Sequence, residues 1–228
     1  MTPTALLFDL DGTLADTDPL HLRAWQEALA GHGVVVDEAA YARHVSGRFN
    51  PAIVADLLPE LSAEQGLRFT DAKEARFREL AGELAPLAGL QGVLDRARAA
   101  GLATAVVTNA PRENAQFMLR SLGLDDAFDA VGLGEDARAA KPDPAPYREM
   151  LARLGIDADA ALAFEDSPGG VRSAIAAGIR VVGIGTTQRP EVLLGEGAEL
   201  VVDDFADARL WRGPLAFLAG PGDAERRG

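Results

Sequence analysis

Four groups of polar residues in this chain have the types and spacing for phosphoryl chemistry. Asp9 and Asp11 stand two positions apart and are followed at once by Gly12. Extended backbone sends residues i and i+2 to the same side, so both carboxyls face one place. Gly12 permits a tight turn and close approach of backbone to a ligand. Thr108 with Asn109, Lys141, and the pair Glu165 and Asp166 complete the set. Phosphoryl transfer needs an in-line oxygen nucleophile, neutralisation of charge, and a proton for the departing alkoxide. Asp9 can be the nucleophile; Asp11 can be the acid for the leaving group and then the base for water. The two carboxyls must then titrate apart. A metal on Asp9 keeps it ionised, while crowding by like charge is expected to raise the pKa of Asp11. Asp166, helped by Glu165, makes an all-oxygen site for a hard cation, of which magnesium is the natural occupant. Thr108 offers a hydroxyl, Asn109 a backbone amide, and Lys141 a point charge to phosphate oxygens.

These groups sit beside short apolar runs at 4–8, 103–107, 130–133 and 161–164; further runs lie at 180–184 and 199–202. Between the runs are stretches of helical spacing, for example 113–122, 144–154 and 168–177. Continuous apolar strands alternating with helices indicate a parallel sheet covered on both faces. The expected fold class is α/β, a Rossmann-like doubly wound sheet, which binds ligands outside the carboxyl ends of its strands. Such a sheet brings together residues spread from position 9 to position 166. The interval 16–85 breaks the alternation and shows only helical patterns, at 18–31, 37–45, 50–58 and 63–82. Asp18 reads as an N-cap, with Pro19 at the first helical position. Ser167 and Pro168 read the same way for the helix after Asp166. The expected organisation is an α/β core of residues 1–15 and 86–219, a helical cap of 16–85 moving on short joints near 15–16 and 84–89, and a disordered tail of 220–228.

The segments Asp9-Leu-Asp-Gly-Thr-Leu, Val106-Val-Thr-Asn, Lys141-Pro and Phe164-Glu-Asp-Ser, in that order at strand ends, resemble the motifs of the haloacid dehalogenase superfamily over essentially the whole chain. The helical insert resembles the cap of subfamily I. Thr108-Asn-Ala-Pro-Arg-Glu-Asn-Ala, with Lys73-Glu74 and Gly183-Ile-Gly-Thr-Thr, resembles the sugar-phosphate and glycerol-phosphate phosphatases of this group. The resemblance implies Asp9 as nucleophile, Asp11 as acid/base, and magnesium held by the side chains of Asp9 and Asp166 and the carbonyl of Asp11. It implies phosphate held by Thr108, Asn109 and Lys141, and a substrate faced from the cap by His21, Arg48 and Lys73. The expected activity is magnesium-dependent hydrolysis of a small phosphate monoester, a sugar or polyol phosphate, through an aspartyl-phosphate. A β-phosphoglucomutase-type mutase shares the motifs, but Thr13 follows the motif glycine and Ala110-Pro111-Arg112 lacks the serine-lysine pair expected for a second phosphate. Phosphoglycolate phosphatase differs only in cap chemistry. A dehalogenase would not need Asp11, and a binding module without catalysis would have lost one of the motif residues.

The remaining composition narrows the partners. A formal net charge of -13 argues against nucleic acid and anionic membrane, and no apolar run approaches the length of a membrane span. No cysteine is present, which excludes disulfides and thiolate chemistry and suits the cytoplasm. No protein partner is evident. His32 and His44 read as surface residues and Trp25 as core.

Overall fold

The computed structural model describes residues 2–219; the tail expected at 220–228 lies outside them. The chain runs β1 (Ala5–Phe8), α1 (Asp18–Leu29), α2 (Glu38–His44), α3 (Asn50–Leu57), α4 (Ala63–Leu80) and α5 (Leu90–Ala99). It continues through β2 (Ala103–Thr108), α6 (Arg112–Ser121), β3 (Ala130–Leu133), α7 (Ala145–Leu154), β4 (Ala161–Glu165) and α8 (Pro168–Ala176). The last elements are β5 (Arg180–Ile184), α9 (Pro190–Gly195), β6 (Leu200–Val202) and α10 (Ala208–Arg212). The six strands form one parallel sheet in the order β3-β2-β1-β4-β5-β6. The order reverses at β1, which lies between β2 and β4. Asp9 therefore leaves the centre of the sheet, where a crevice must open.

Alternation along the strands builds two cores. Leu6 and Phe8 face one layer with Val106, Phe164, Val93, Met118 and Phe205. Ala5 and Leu7 face the other, with Val107, Ala163, Tyr147 and Val171. Phe8 stacks on Phe164 at 5.0 Å between centroids, and Phe205 closes on both at 5.9 and 5.2 Å. The helices between β1 and β2 hold an apolar cluster of their own, in which Trp25, Leu29, Tyr41, Ile53 and Leu58 meet. Trp25 is core as expected, and His32 and His44 are exposed.

The start of α1 differs from expectation. Asp18 is its first residue, not its cap, and neither Thr17 nor Asp18 bonds a helix N–H. Tyr41 donates its hydroxyl to Asp18 at 2.8 Å and Thr17 donates to Asp11 at 2.8 Å, so both side chains serve other partners. Pro19, lacking an N–H, reduces what the helix start needs. Ser167 does cap α8, accepting from the Gly170 amide at 3.1 Å. A capping box of Ser62 and Gln65 fixes the start of α4.

Phe205 lies outside every strand and helix yet is fully buried against β1 and β4. Phe205→Ala is expected to destabilise the fold by about 3–5 kcal/mol, read as a lowered urea midpoint at unchanged slope. A midpoint at the original value would remove this loop from the core.

Candidate active site

β1, β2 and β4 end at one level of the sheet, and each delivers polar groups at or just past its last residue. Asp9 and Asp11 follow β1, Thr108 ends β2, Glu165 ends β4, and Asp166 comes next. Lys141 arrives from the loop between β3 and α7. Of the residues expected to act, Asp9, Asp11, His21, Arg48, Lys73, Thr108, Asn109, Lys141 and Asp166 all line one chamber. Glu165 and Gly12 stand behind its wall.

Lys141 is the electrostatic centre. Its ammonium donates to Asp9 Oδ1, Glu165 Oε1 and the Val107 carbonyl, each at 2.6 Å, so all its protons are used. Asn109 fixes the lysine's backbone: its Oδ1 accepts from the Lys141 amide at 3.0 Å, and its Nδ2 donates to the Lys141 carbonyl at 3.1 Å. The same Nδ2 reaches the Gly47 carbonyl across the chamber at 3.1 Å. The Asn109 side chain is thus a clasp between segments, a role its expected backbone amide did not suggest. Thr108 is buried, and its hydroxyl accepts from the Ala110 amide at 2.9 Å.

Oxygens of Asp9, Glu165 and Asp166 lie within 4.8 Å of one another, all three residues buried. One ammonium faces three carboxylates there. Burial, with Glu165 and Asp11 adding to it against the pull of Lys141, pushes Asp9 up to about 8. Burial likewise raises Asp166 well above the usual carboxylate range, reinforced by Asp9, Asp18 and Glu165. Glu165 Oε2 is buried without a hydrogen-bond partner, while Oε1 takes Lys141 and the Tyr147 hydroxyl. An excess of clustered carboxylate oxygens, one of them orphaned, fits a hard cation. Backbone packs tightly against this cluster. A Cβ on Gly12, whose φ is +71°, would lie 2.3 Å from Asp166 Oδ2, and one on Gly170 would lie 1.7 Å from Glu165 Oε2.

Asp11 corrects an expectation. Its carboxyl is held below the usual range, not above it. Burial pushes it up, but the contact with His21 and the hydrogen bond from Thr17 outweigh burial. Lys73 bonds His21 Nδ1 at 2.9 Å and, while charged, has only donors. The ring proton therefore sits on Nε2, which donates to Asp11 Oδ1 at 3.0 Å. His21 stacks flat on Phe77 at 3.8 Å. Lys73, expected within a charged helix, is 2% exposed and lies 4.9 Å over the Trp25 ring. Arg48 is engaged by Asp56 at 2.6 Å and the His44 carbonyl at 2.7 Å.

Sequence reasoning gave no role to Tyr147, Thr187, Asn50, Glu74 and Asn114, although Thr187, Glu74 and Asn114 lie in segments that carried the family resemblance. Thr187 donates to Asp166 Oδ2 at 2.7 Å. Tyr147 carried a weak signal, as a side chain with a polar tip on a helix otherwise facing the core. Asn50, Glu74 and Asn114 meet only after three helices pack.

Comparison with known proteins extends the picture. A family model described as haloacid dehalogenase-like hydrolase matches residues 3–178. A phosphoglycolate phosphatase of Rhodospirillum rubrum is 38% identical over 226 residues, covering 92% of this chain and 91% of that one. A fructose-1-phosphate phosphatase of Escherichia coli is 32% identical, covering 78% and 95%. Among solved structures, CbbY from Rhodobacter sphaeroides in complex with xylulose-1,5-bisphosphate superposes with a TM-score of 0.79 at 30% identity, covering 91% of this chain and 96% of that one.

Asp9 and Asp166 hold protons in the folded state at pH values where the unfolded chain has lost them, so their share of stability is present in acid and disappears as pH rises toward about 8. Without divalent ions, the melting temperature is expected to fall from about pH 5 to about pH 9, and a divalent cation should raise it most at the alkaline end, where it replaces the protons. A melting temperature indifferent to the cation at every pH would count against this site. Lys141→Met should cost about 3–5 kcal/mol in urea unfolding, because it leaves buried carboxylates without their ammonium.

Proposed function

The chain belongs to the haloacid dehalogenase-like hydrolase family, and we propose that it removes phosphate from a small sugar or polyol phosphate by way of Asp9. The observation that carries this reading is the convergence of Asp9, Asp11, Thr108, Lys141 and Asp166 on one chamber at the switch point of the sheet. Magnesium is the proposed cofactor, held by the side chains of Asp9 and Asp166 and the Asp11 carbonyl with Glu165 behind; when bound it supplies positive charge to the carboxylates and to the phosphate.

Asp9 attacks phosphorus in line with the ester oxygen; the phosphorus–ester bond breaks, and Asp11 passes a proton to the departing alkoxide. Water then attacks phosphorus while Asp11 takes one of its protons, and the bond to Asp9 breaks to release inorganic phosphate. Lys141 holds the Asp9 carboxylate in place throughout. The arriving phosphate dianion adds negative charge near Asp11 and pushes its pKa upward, against the hold of His21 and Thr17. His21 and Lys73, both buried, tie the acid/base to α4, so the helical insert acts as a cap that completes the site and excludes water. The described residues contain no helix long and apolar enough to cross a membrane, and a cysteine-free chain acting on small metabolites fits the cytoplasm.

The 38% identity to the Rhodospirillum rubrum protein favours phosphoglycolate as a second reading of the substrate. Phosphate release should be measured across sugar phosphates, polyol phosphates and phosphoglycolate, with magnesium and with EDTA. Release that needs magnesium is expected, and Asp9→Asn should lower it by about a thousandfold or more while circular dichroism stays unchanged. Full activity in a folded Asp9→Asn protein would remove the nucleophile. Interconversion of sugar phosphates without phosphate release would make the chain a mutase instead.

A further inference from the structure

The chamber wall built by the helical insert carries a carboxylate that the hydrolysis does not use. Glu74, on α4, is 4% exposed and lines the chamber with Asn50 and Asn114. Its Oε1 accepts from Asn50 Nδ2 at 2.6 Å and from the Lys73 ammonium at 2.9 Å, and its Oε2 accepts from Asn114 Nδ2 at 2.6 Å. Arg78 donates to Asn114 Oδ1 at 2.6 Å, which holds that amide with its donors toward Glu74. The carboxylate is therefore fixed by three helices, α3, α4 and α6.

The chamber's cations are accounted for in turn. Lys73 faces Glu74, Arg48 faces Asp56 at 2.6 Å, and Lys141 faces Asp9 and Glu165. A second anionic group on a substrate would meet Glu74 with Lys73 already neutralised, and like charges in a buried site repel strongly. A hydroxyl meets a different environment. A carboxylate has about four acceptor positions; Asn50, Lys73 and Asn114 fill three, leaving one on Oε2 for a further donor.

We infer that Glu74 selects the far end of the substrate: the chamber takes a phosphate monoester whose remainder is uncharged and hydroxylated, and rejects one with a second anionic group. This rests on the phosphatase reading above and narrows its substrate class. It ranks hydroxylated monophosphates ahead of sugar bisphosphates, and also ahead of phosphoglycolate, whose far end is a carboxylate. Such discrimination comes from a repulsive group placed against the wrong ligand as much as from contacts to the right one.

The matched pair of fructose 1-phosphate and fructose 1,6-bisphosphate differs by one phosphate on one skeleton. Their affinities should be measured by isothermal titration on the Asp9→Asn protein with magnesium, so that the comparison depends on binding alone. Phosphate release by the unaltered protein tests the underlying reaction separately. The bisphosphate is expected to bind at least about tenfold more weakly than the monophosphate. Adding Glu74→Gln should narrow that gap about tenfold or more, whereas Glu64→Gln, the same charge change at an exposed position of α4, should leave it as it was. Equal or tighter binding of the bisphosphate before Glu74 is altered would overturn the inference and needs no variant at that position. A gap unchanged by Glu74→Gln would overturn it too.

Discussion

One buried ammonium holds this site together. Lys141 spends its three protons on Asp9, Glu165 and the Val107 carbonyl, and it faces three clustered carboxylates that it cannot neutralise alone. The unmet charge explains most of what surrounds it. Burial, with that charge added to it, raises the proton affinity of Asp9 and Asp166, and the cluster, in which Glu165 Oε2 has no partner, creates the demand for a cation that a phosphate ester can share. Asn109 and Tyr147 make the arrangement rigid, one by gripping the lysine's backbone and the other by donating to Glu165. An unpaired charge is costly in a loose site, which would admit water or collapse; a rigid one can store it for a ligand.

The sheet makes that rigidity possible. Asp9 leaves β1 between its two neighbours, so β2 brings Thr108 from one side and β4 brings Glu165 and Asp166 from the other, in register across parallel strands. Phe8, Phe164 and Phe205 pack beneath the catalytic edge and fix the level of β1 and β4. Above it, α1 and α4 carry His21 and Lys73 to Asp11. Nucleophile and acid/base thus leave the same strand, and the helical layer reaches the acid/base alone, through the bond of His21 to Asp11.

What the sequence disclosed follows from how local each signal is. The strands are continuous apolar runs, and 130–133 and 180–184 coincide with β3 and β5 to the residue. Asp9, Asp11, Lys141 and Asp166 stand at or beyond strand ends, where short-range pattern and fold rule agree. Asp18 was misread because capping is a local rule, whereas Tyr41, 23 positions away, claimed its carboxylate. The pKa of Asp11 was misjudged in direction because nearby charge was legible and the hydrogen bonds of His21 and Thr17 were not. Glu74 and Asn114 lie 40 positions apart, each in a segment that carried the family resemblance, and only packing makes them neighbours.

The central claim is that phosphate passes through Asp9 before it reaches water. The stereochemical course at phosphorus tests this most directly, using a substrate whose phosphate is made chiral with oxygen isotopes. Two in-line displacements, first by Asp9 and then by water, should give net retention of configuration. Inversion would mean a single direct attack by water, and would contradict the covalent role of Asp9.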